Sequence, residues 1–458
     1  MTHEKLTRCG VFAALLFAFV SSASATWKEQ VLYSFQGIAD GATPVGSVVF
    51  DSSGNMYGAT QEGGSSSCKS IDQCGTVYEL SQSGGVWTET VLYVFQGNTN
   101  NDGASPFGGL VMDSSGNLYG TTAYGGTGDC VLLGSKVGCG TVYELSPPVQ
   151  PDGAWTETIL YSFPSSKYGY APWGDLVFDS AGNLYGATIF GGGKGTTCDP
   201  FYQYCGAVFE LSPPKRKGGA WTEKVLHAFA GGTDGHQFGD GANPNGGLIL
   251  DSKGAVYGTA GWGGNEKACP GKEGWGGCGM VFKLMPPPRE GGPWKEEILR
   301  SFNGNDGAEP LGGVVFDGKG NLYGTTYWGP TDGYGLVFEL EKPSGKAHAW
   351  KEAVLYAFED KADGSNPSAG LTFGNTGKLY GTVLGGQIPY GVVFQLSPPK
   401  GKNSWSLSVL YNFKGTPDGD HPTERVVFDG LRNLYSTTQW GGTGTCDGGC
   451  GTVFEASP

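Results

Sequence analysis

Between Trp87 and Phe95 the chain alternates. Trp87, Glu89, Val91, Tyr93 and Phe95 fall on one side, and Thr88, Thr90, Leu92 and Val94 on the other. A period of two is the spacing of a strand, not of a helix. Three further strand-like runs complete the unit. LVMD and NLYGTT are joined by the turn DSSGN, whose Asp, Ser, Gly and Asn suit a tight hairpin with one residue at positive φ. GTVYEL, from Gly140 to Leu145, is rich in β-branched and aromatic residues and runs out at Pro147-Pro148. No segment carries a helical stripe.

The unit recurs. Its tryptophan returns at Trp27, Trp87, Trp155, Trp221, Trp294, Trp350 and Trp405, at intervals of 55 to 73 residues. Repeats of this length are the signature of propellers, solenoids and arrays. Four strands in each of seven units predict an all-β fold, a seven-bladed β-propeller with four antiparallel strands per blade. A four-stranded sheet with two apolar faces cannot bury both alone; stacked radially, each sheet is covered by its neighbours. The competing architecture, an open β-solenoid, fits a four-strand repeat poorly. The pairs Gly108-Gly109, Gly246-Gly247 and Gly312-Gly313 are expected where innermost strands crowd the axis. The phase places LVMD innermost and the tryptophan strand outermost. Trp27 to Phe35 then has no blade before it, and is expected to supply the outer strand of the last blade, closing the ring.

With these motifs the chain resembles a known family. The pattern GLVFD-SxGNLYGTT…GG…GTVFELSP…WTExVLYSF is similar to the GloVer tandem repeat, found in choice-of-anchor repeat proteins, and covers essentially all of the chain after its first residues. The resemblance implies an exported bacterial repeat protein, propeller-like in fold. Three departures stand out: Gly374 replaces the usual Asp, Ser436 the Gly of LYG, and Glu424-Arg425 the Gly-Gly.

The first residues change the picture of location. Lys5 and Arg8 precede an apolar run from Val11 to Val20, and SSASA follows, so residues 1–25 read as a signal peptide cleaved near Ala25. Residues 26–458 then form one seven-repeat domain, secreted or periplasmic. No later run is long enough to span a membrane, and the sequence stopping at Pro458 is read as leaving no sorting tail. Setting Cys9 aside, ten cysteines fall in close pairs: Cys68/Cys74, Cys130/Cys139, Cys198/Cys205, Cys269/Cys278 and Cys446/Cys450. Local disulfides are expected; a zinc reading lacks accompanying histidines.

Charge narrows the partners. A net charge of -14, with 16% charged residues, disfavours nucleic acid and anionic membrane surfaces. A monomer is expected, with a glycan or protein ligand. Loops entering the inner strand and loops joining the second and third strands share one face, the cysteine-bearing one, and binding is placed there. The first candidate is an aromatic series just before the second strand's Gly-Gly: Tyr124, Phe190, Trp262, Trp328 and Trp440, with Glu62 and Leu384 at the matching positions. Facing outward, such rings stack on sugars; the competing reading packs each beneath its own loop or against the next blade. The second candidate is symmetry breaking near the axis by Asp175, Glu424 and Arg425, which could hold a ligand or act as acid and base; the competing reading is a solvated or salt-bridged rim. Six Asp-Gly turns, at Asp40, Asp102, Asp240, Asp306, Asp363 and Asp418, offer oxygen ligands but lack calcium-loop spacing, and read as backbone turns. His236, in the longest turn, is a weak ligand candidate. No nucleophile motif, phosphate loop or dinucleotide fingerprint is present, so no catalytic residue, metal or cofactor is assigned. A binding module is the leading function; a carbohydrate lyase or hydrolase with acids at the channel mouth, and a structural envelope protein, are the alternatives.

Overall fold

The structure is a computed structural model that describes residues 27–65, 74–132, 134–150, 153–165, 167, 169–192, 205–216, 218–230, 240–264, 269, 277–289, 291–330, 333–346, 348–401 and 404–458. Seven four-stranded antiparallel blades surround an axis. Blade 1 runs outward through strands Ala42–Phe50, Met56–Glu62, Thr76–Ser83 and Val86–Val94. The outer strands of blades 2 to 6 are Thr156–Ser162, Thr222–Ala228, Lys295–Ser301, Lys351–Ala357 and Ser406–Asn412. Blade 7 is completed by the start of the chain. Lys28–Ser34 pairs with Thr452–Ser457, Lys28 opposite Ser457 and Ser34 opposite Thr452. The ring closes as the repeat phase predicts.

The tryptophan strand departs from simple alternation. In blade 1 Val91 sits opposite Tyr78 and Tyr93 opposite Val77, leaving Leu92 as a bulge. The same register shift occurs in the other six blades. A bulge reverses the facing of everything beyond it. Trp87 therefore packs toward blade 7, whereas Tyr93 and Phe95 pack toward blade 2. The single face expected from Trp87 to Phe95 is split in two, and each outer strand touches both neighbours.

The terminal phenylalanine uses this turn of face. Phe95 meets Tyr143 of the next blade edge-on with ring centroids 5.0 Å apart. Phe35–Tyr78, Phe163–Phe209, Phe229–Phe282, Phe302–Phe338, Phe358–Phe394 and Phe413–Phe454 repeat the contact around the ring. Burying each Phe is worth about 1.5–3 kcal/mol, and the edge-on pairing adds about 0.5–1.5 kcal/mol. The third-strand ring explains the LYG glycine. A Cβ on Gly58 would lie 2.3 Å from the Tyr78 hydroxyl oxygen. In blade 7, where Ser436 stands instead, its hydroxyl lies within hydrogen-bond reach of the Glu424 and Arg425 carbonyls.

The DSSGN turns are backbone devices. Asp51 accepts the Ser53 and Asn55 amides on one oxygen and the Asn55 side chain on the other. The Asp-Gly turns are similar: Asp40 accepts the Gln36 and Gly37 amides and the Tyr33 hydroxyl.

Disulfides join Cys130–Cys139, Cys269–Cys278 and Cys446–Cys450. Cys74 and Cys205 are also disulfide-bonded; their expected partners, Cys68 and Cys198, lie outside the described residues, as do Cys9 and His236. Among the described residues, no helix is long and apolar enough to cross a membrane.

Candidate functional site at the axial cavity

Each inner strand is entered through a residue, a proline and a further residue, ahead of the position that Gly-Gly holds in blades 2, 4 and 5. The residue before the proline has a left-handed backbone in every blade: Thr43, Ser105, Ala171, Asn243, Glu309, Asn366 and His421 have φ between 53° and 60°. Residues before proline normally stay extended, so this geometry carries a cost of order 1–3 kcal/mol each. Interblade hydrogen bonds hold it. The amides of Thr43, Ser105, Ala171, Asn243 and Glu309 donate to the carbonyls of Cys450, Cys74, Cys139, Cys205 and Cys278. The second cysteine of each pair thus anchors the following blade, with Tyr334 and Tyr390 in that role where cysteines are absent.

The residue after the proline is Val45, Phe107, Trp173, Asn245, Leu311, Ser368 or Thr423, and all seven line an axial cavity of about 880 Å³. Phe107 and Trp173 stack with centroids 3.5 Å apart. Below this rim the inner backbones nearly touch. A Cβ on Gly246 would lie 2.2 Å from the Gly313 nitrogen, so glycine is required there.

Three of the predicted aromatics, Tyr124, Phe190 and Trp262, line the cavity, as do Asp175, Glu424 and Arg425. Trp328 and Trp440 do not; Tyr327 and Gln439, one residue earlier, take their places in the wall. Trp328 and Trp440 are exposed at 40% and 41%. The indoles of Trp262 and Trp328 both hydrogen-bond to Glu309, whose carboxyl burial pushes upward in pKa, and Trp440 lies 4.4 Å from the His421 ring. In blade 6 the residue opposite Ser365 is Gly385, the register that Trp262 holds opposite Ala242, so Leu384 is not the match to Trp262 that sequence counting assigns; the loop is one residue shorter.

Asp175 and Glu424 fill gaps that glycine leaves in other blades. Asp175 Oδ1 accepts the Gly109 amide of blade 2 at 2.6 Å. Glu424 accepts the Gly46 amide of blade 1. Burial, reinforced by the Asp175 charge and opposed by Arg425, pushes the Glu424 carboxyl up to about 7. Asn243 Oδ1, Asn245 Oδ1 and Ser368 Oγ are buried atoms of cavity-lining residues and have no hydrogen-bond partner. The rim positions on either side of the proline escape sequence reading. Their signal is variability, seven different residues after an otherwise repeated Pro.

The sequence matches the Gloeobacter/Verrucomicrobia repeat over residues 16–130, 130–348 and 270–458. The chain belongs to this repeat family. No curated protein matches the sequence significantly. Among solved structures the repeat protein is similar to a Trichoderma reesei carbohydrate-active enzyme of family AA12, at 12% identity and TM-score 0.43, with 95% of this chain and 96% of that one covered. It is similar to a putative 6-phosphogluconolactonase from Bacteroides uniformis at 13% identity and TM-score 0.47, covering 85% and 88%. A putative glucose dehydrogenase from Thermus thermophilus gives 15% identity and TM-score 0.39, covering 94% and 100%. Likenesses this distant pass no chemistry to the present chain.

Proposed function

We propose that this repeat protein is a non-enzymatic carbohydrate-binding module that seats a sugar in the mouth of the axial cavity, on the disulfide-bearing face. The unpartnered Asn243, Asn245 and Ser368 oxygens carry this reading. A buried acceptor without a partner costs about 1–3 kcal/mol, and a side-chain rotation that turns it toward the cavity lets a polyhydroxylated ligand supply the donor. Beside them Phe107, Trp173, Tyr124, Phe190 and Trp262 offer flat apolar faces. The concave shape and a volume within the usual range of ligand pockets suit a saccharide better than a flat protein surface. Trp328 and Trp440 extend the aromatic surface beyond the rim. The disulfides and the leader-like first residues support export, with the domain acting as a monomer. A glycan array followed by calorimetry tests the proposal. Trp173→Ala and Asn245→Ala are expected to weaken binding at least about tenfold, one step of 1.4 kcal/mol, with melting temperature nearly unchanged. Trp328→Ala with Trp440→Ala is expected to lower affinity less. Absence of any glycan ligand, or unchanged affinity in Trp173→Ala, sinks it.

A second reading rests on Glu424. A carboxyl held near neutrality beside Asp175 is suited to general acid–base work. Turnover of a bound glycan that disappears in Glu424→Gln while binding persists would favour the lyase or hydrolase alternative.

A further inference from the structure

The outer rims of the blade interfaces share one arrangement. At most of them a side chain beyond the bulge meets the next blade's Glu, two residues after its tryptophan, and the Asp of the connecting turn. At the 7–1, 1–2 and 6–7 interfaces the first group is Tyr33, Tyr93 or Tyr411, donating to Asp40, Asp102 or Asp418. At 2–3 Tyr161 reaches Glu223 directly, and at 5–6 Tyr356 donates to Asp363 while Leu407 replaces the Glu. Two interfaces break the pattern in succession. Arg300 at 4–5 pairs with both carboxylates, Asp306 and Glu352. His227 at 3–4 faces both acids at longer range.

His227 Nε2 lies 3.3 Å from Asp240 Oδ2 and 3.8 Å from Glu296 Oε1. The three donor atoms lie within 4.8 Å of one another. Neither His227 Nε2 nor Glu296 Oε1 has a hydrogen-bond partner, and both atoms are shut off from solvent. Donors held by one zinc ion at about 2.0–2.2 Å stand roughly 3.2–3.6 Å apart in tetrahedral geometry. We propose that His227, Asp240 and Glu296 form a binding site for a divalent transition-metal ion, Zn²⁺ by ligand type, bridging blades 3 and 4 where Arg300 bridges blades 4 and 5. One imidazole and two carboxylates suit zinc, whereas calcium takes six to eight oxygens. The ion would play the part of the guanidinium next door, placing positive charge between two acids from different blades.

Tag-free mature protein, stripped with a chelator, is titrated with Zn²⁺ by calorimetry and by thermal melting. One saturable site per chain, with a rise in melting temperature that Ca²⁺ does not reproduce, is expected. His227→Tyr installs the residue that five other interfaces carry at this register. It is expected to fold and melt like stripped wild type while losing the site. Asp240→Asn provides the same readout should the tyrosine variant fail to fold. A His227 that clamps both acids directly, as Arg300 does, would appear as no saturable uptake. That result, or wild-type uptake in both variants, overturns the proposal.

Discussion

Glu89 of blade 1 lies against Asp40, the turn aspartate that follows blade 7's outer strand, with the Tyr33 hydroxyl donated to Asp40 at 2.8 Å. Desolvation first and the Asp40 charge second push Glu89 up to about 7. Glu157 is raised to about 7 by burial and Asp102 in the same way. Both folded-state pKa values exceed the ordinary carboxyl value, so the folded ring holds protons that the unfolded chain releases. Their contribution is complete below about 4.5 and is lost as pH rises through about 7. Melting temperature is expected to fall between pH 5 and pH 8. The double variant Glu89→Gln, Glu157→Gln should flatten that slope; a melting temperature that rises over this range contradicts the assignment.

Crowding at the axis gives a sharp contrast between adjacent glycines. Gly246→Ala would force a Cβ to 2.2 Å from the backbone of Gly313, whereas a Cβ on Gly247 would first meet Asp175 at 3.4 Å. Denaturant unfolding is expected to show Gly246→Ala losing about 3 kcal/mol or more, the upper range for overpacking. Gly247→Ala should lose less than about 1 kcal/mol.

Blade 7 carries Arg432 at φ 80° in its hairpin, where the other blades place glycine, as at Gly54 and Gly116. A left-handed non-glycine residue costs roughly 1–2 kcal/mol, partly offset by the greater unfolded-state entropy of glycine. Arg432→Gly is therefore expected to stabilise by about 0.5–1 kcal/mol. Equilibrium unfolding that shows a loss instead would mean the arginine side chain contributes contacts of its own.

The paired cysteines lead to a prediction by mass. With residues 1–25 removed as proposed, intact mass should be unchanged by alkylation without reduction and should gain ten adducts after it. Cys130→Ser with Cys139→Ser should loosen the Ala171 amide that donates to the Cys139 carbonyl at 3.1 Å, seen as faster hydrogen exchange there.

The ring, its blade count and its closing strand were legible because strand period, turn chemistry and tryptophan spacing all point the same way. The bulge was not. Leu92 looks like any other alternating residue, and only pairing with Val77 and Tyr78 reveals the reversal. For that reason Glu89, Tyr33 and Asp40 could not be seen to converge. At the site, Asp175 and Glu424 were visible as breaks in a Gly-Gly repeat. Trp173 and Asn245 were not, because a position that differs in every unit gives periodicity nothing to register. Leu384 shows the opposite error, where counting along a motif overlooked a deleted residue.

Among the described residues, Lys28–Ser34 has its strand partner in Thr452–Ser457, at the opposite end of the repeat array. This segment therefore finds its sheet only when the last repeat is in place. Closing the circle joins segments as far apart as Ser34 and Thr443, 409 positions along the chain, so the seventh blade is the costliest in loop entropy and the natural last step of folding.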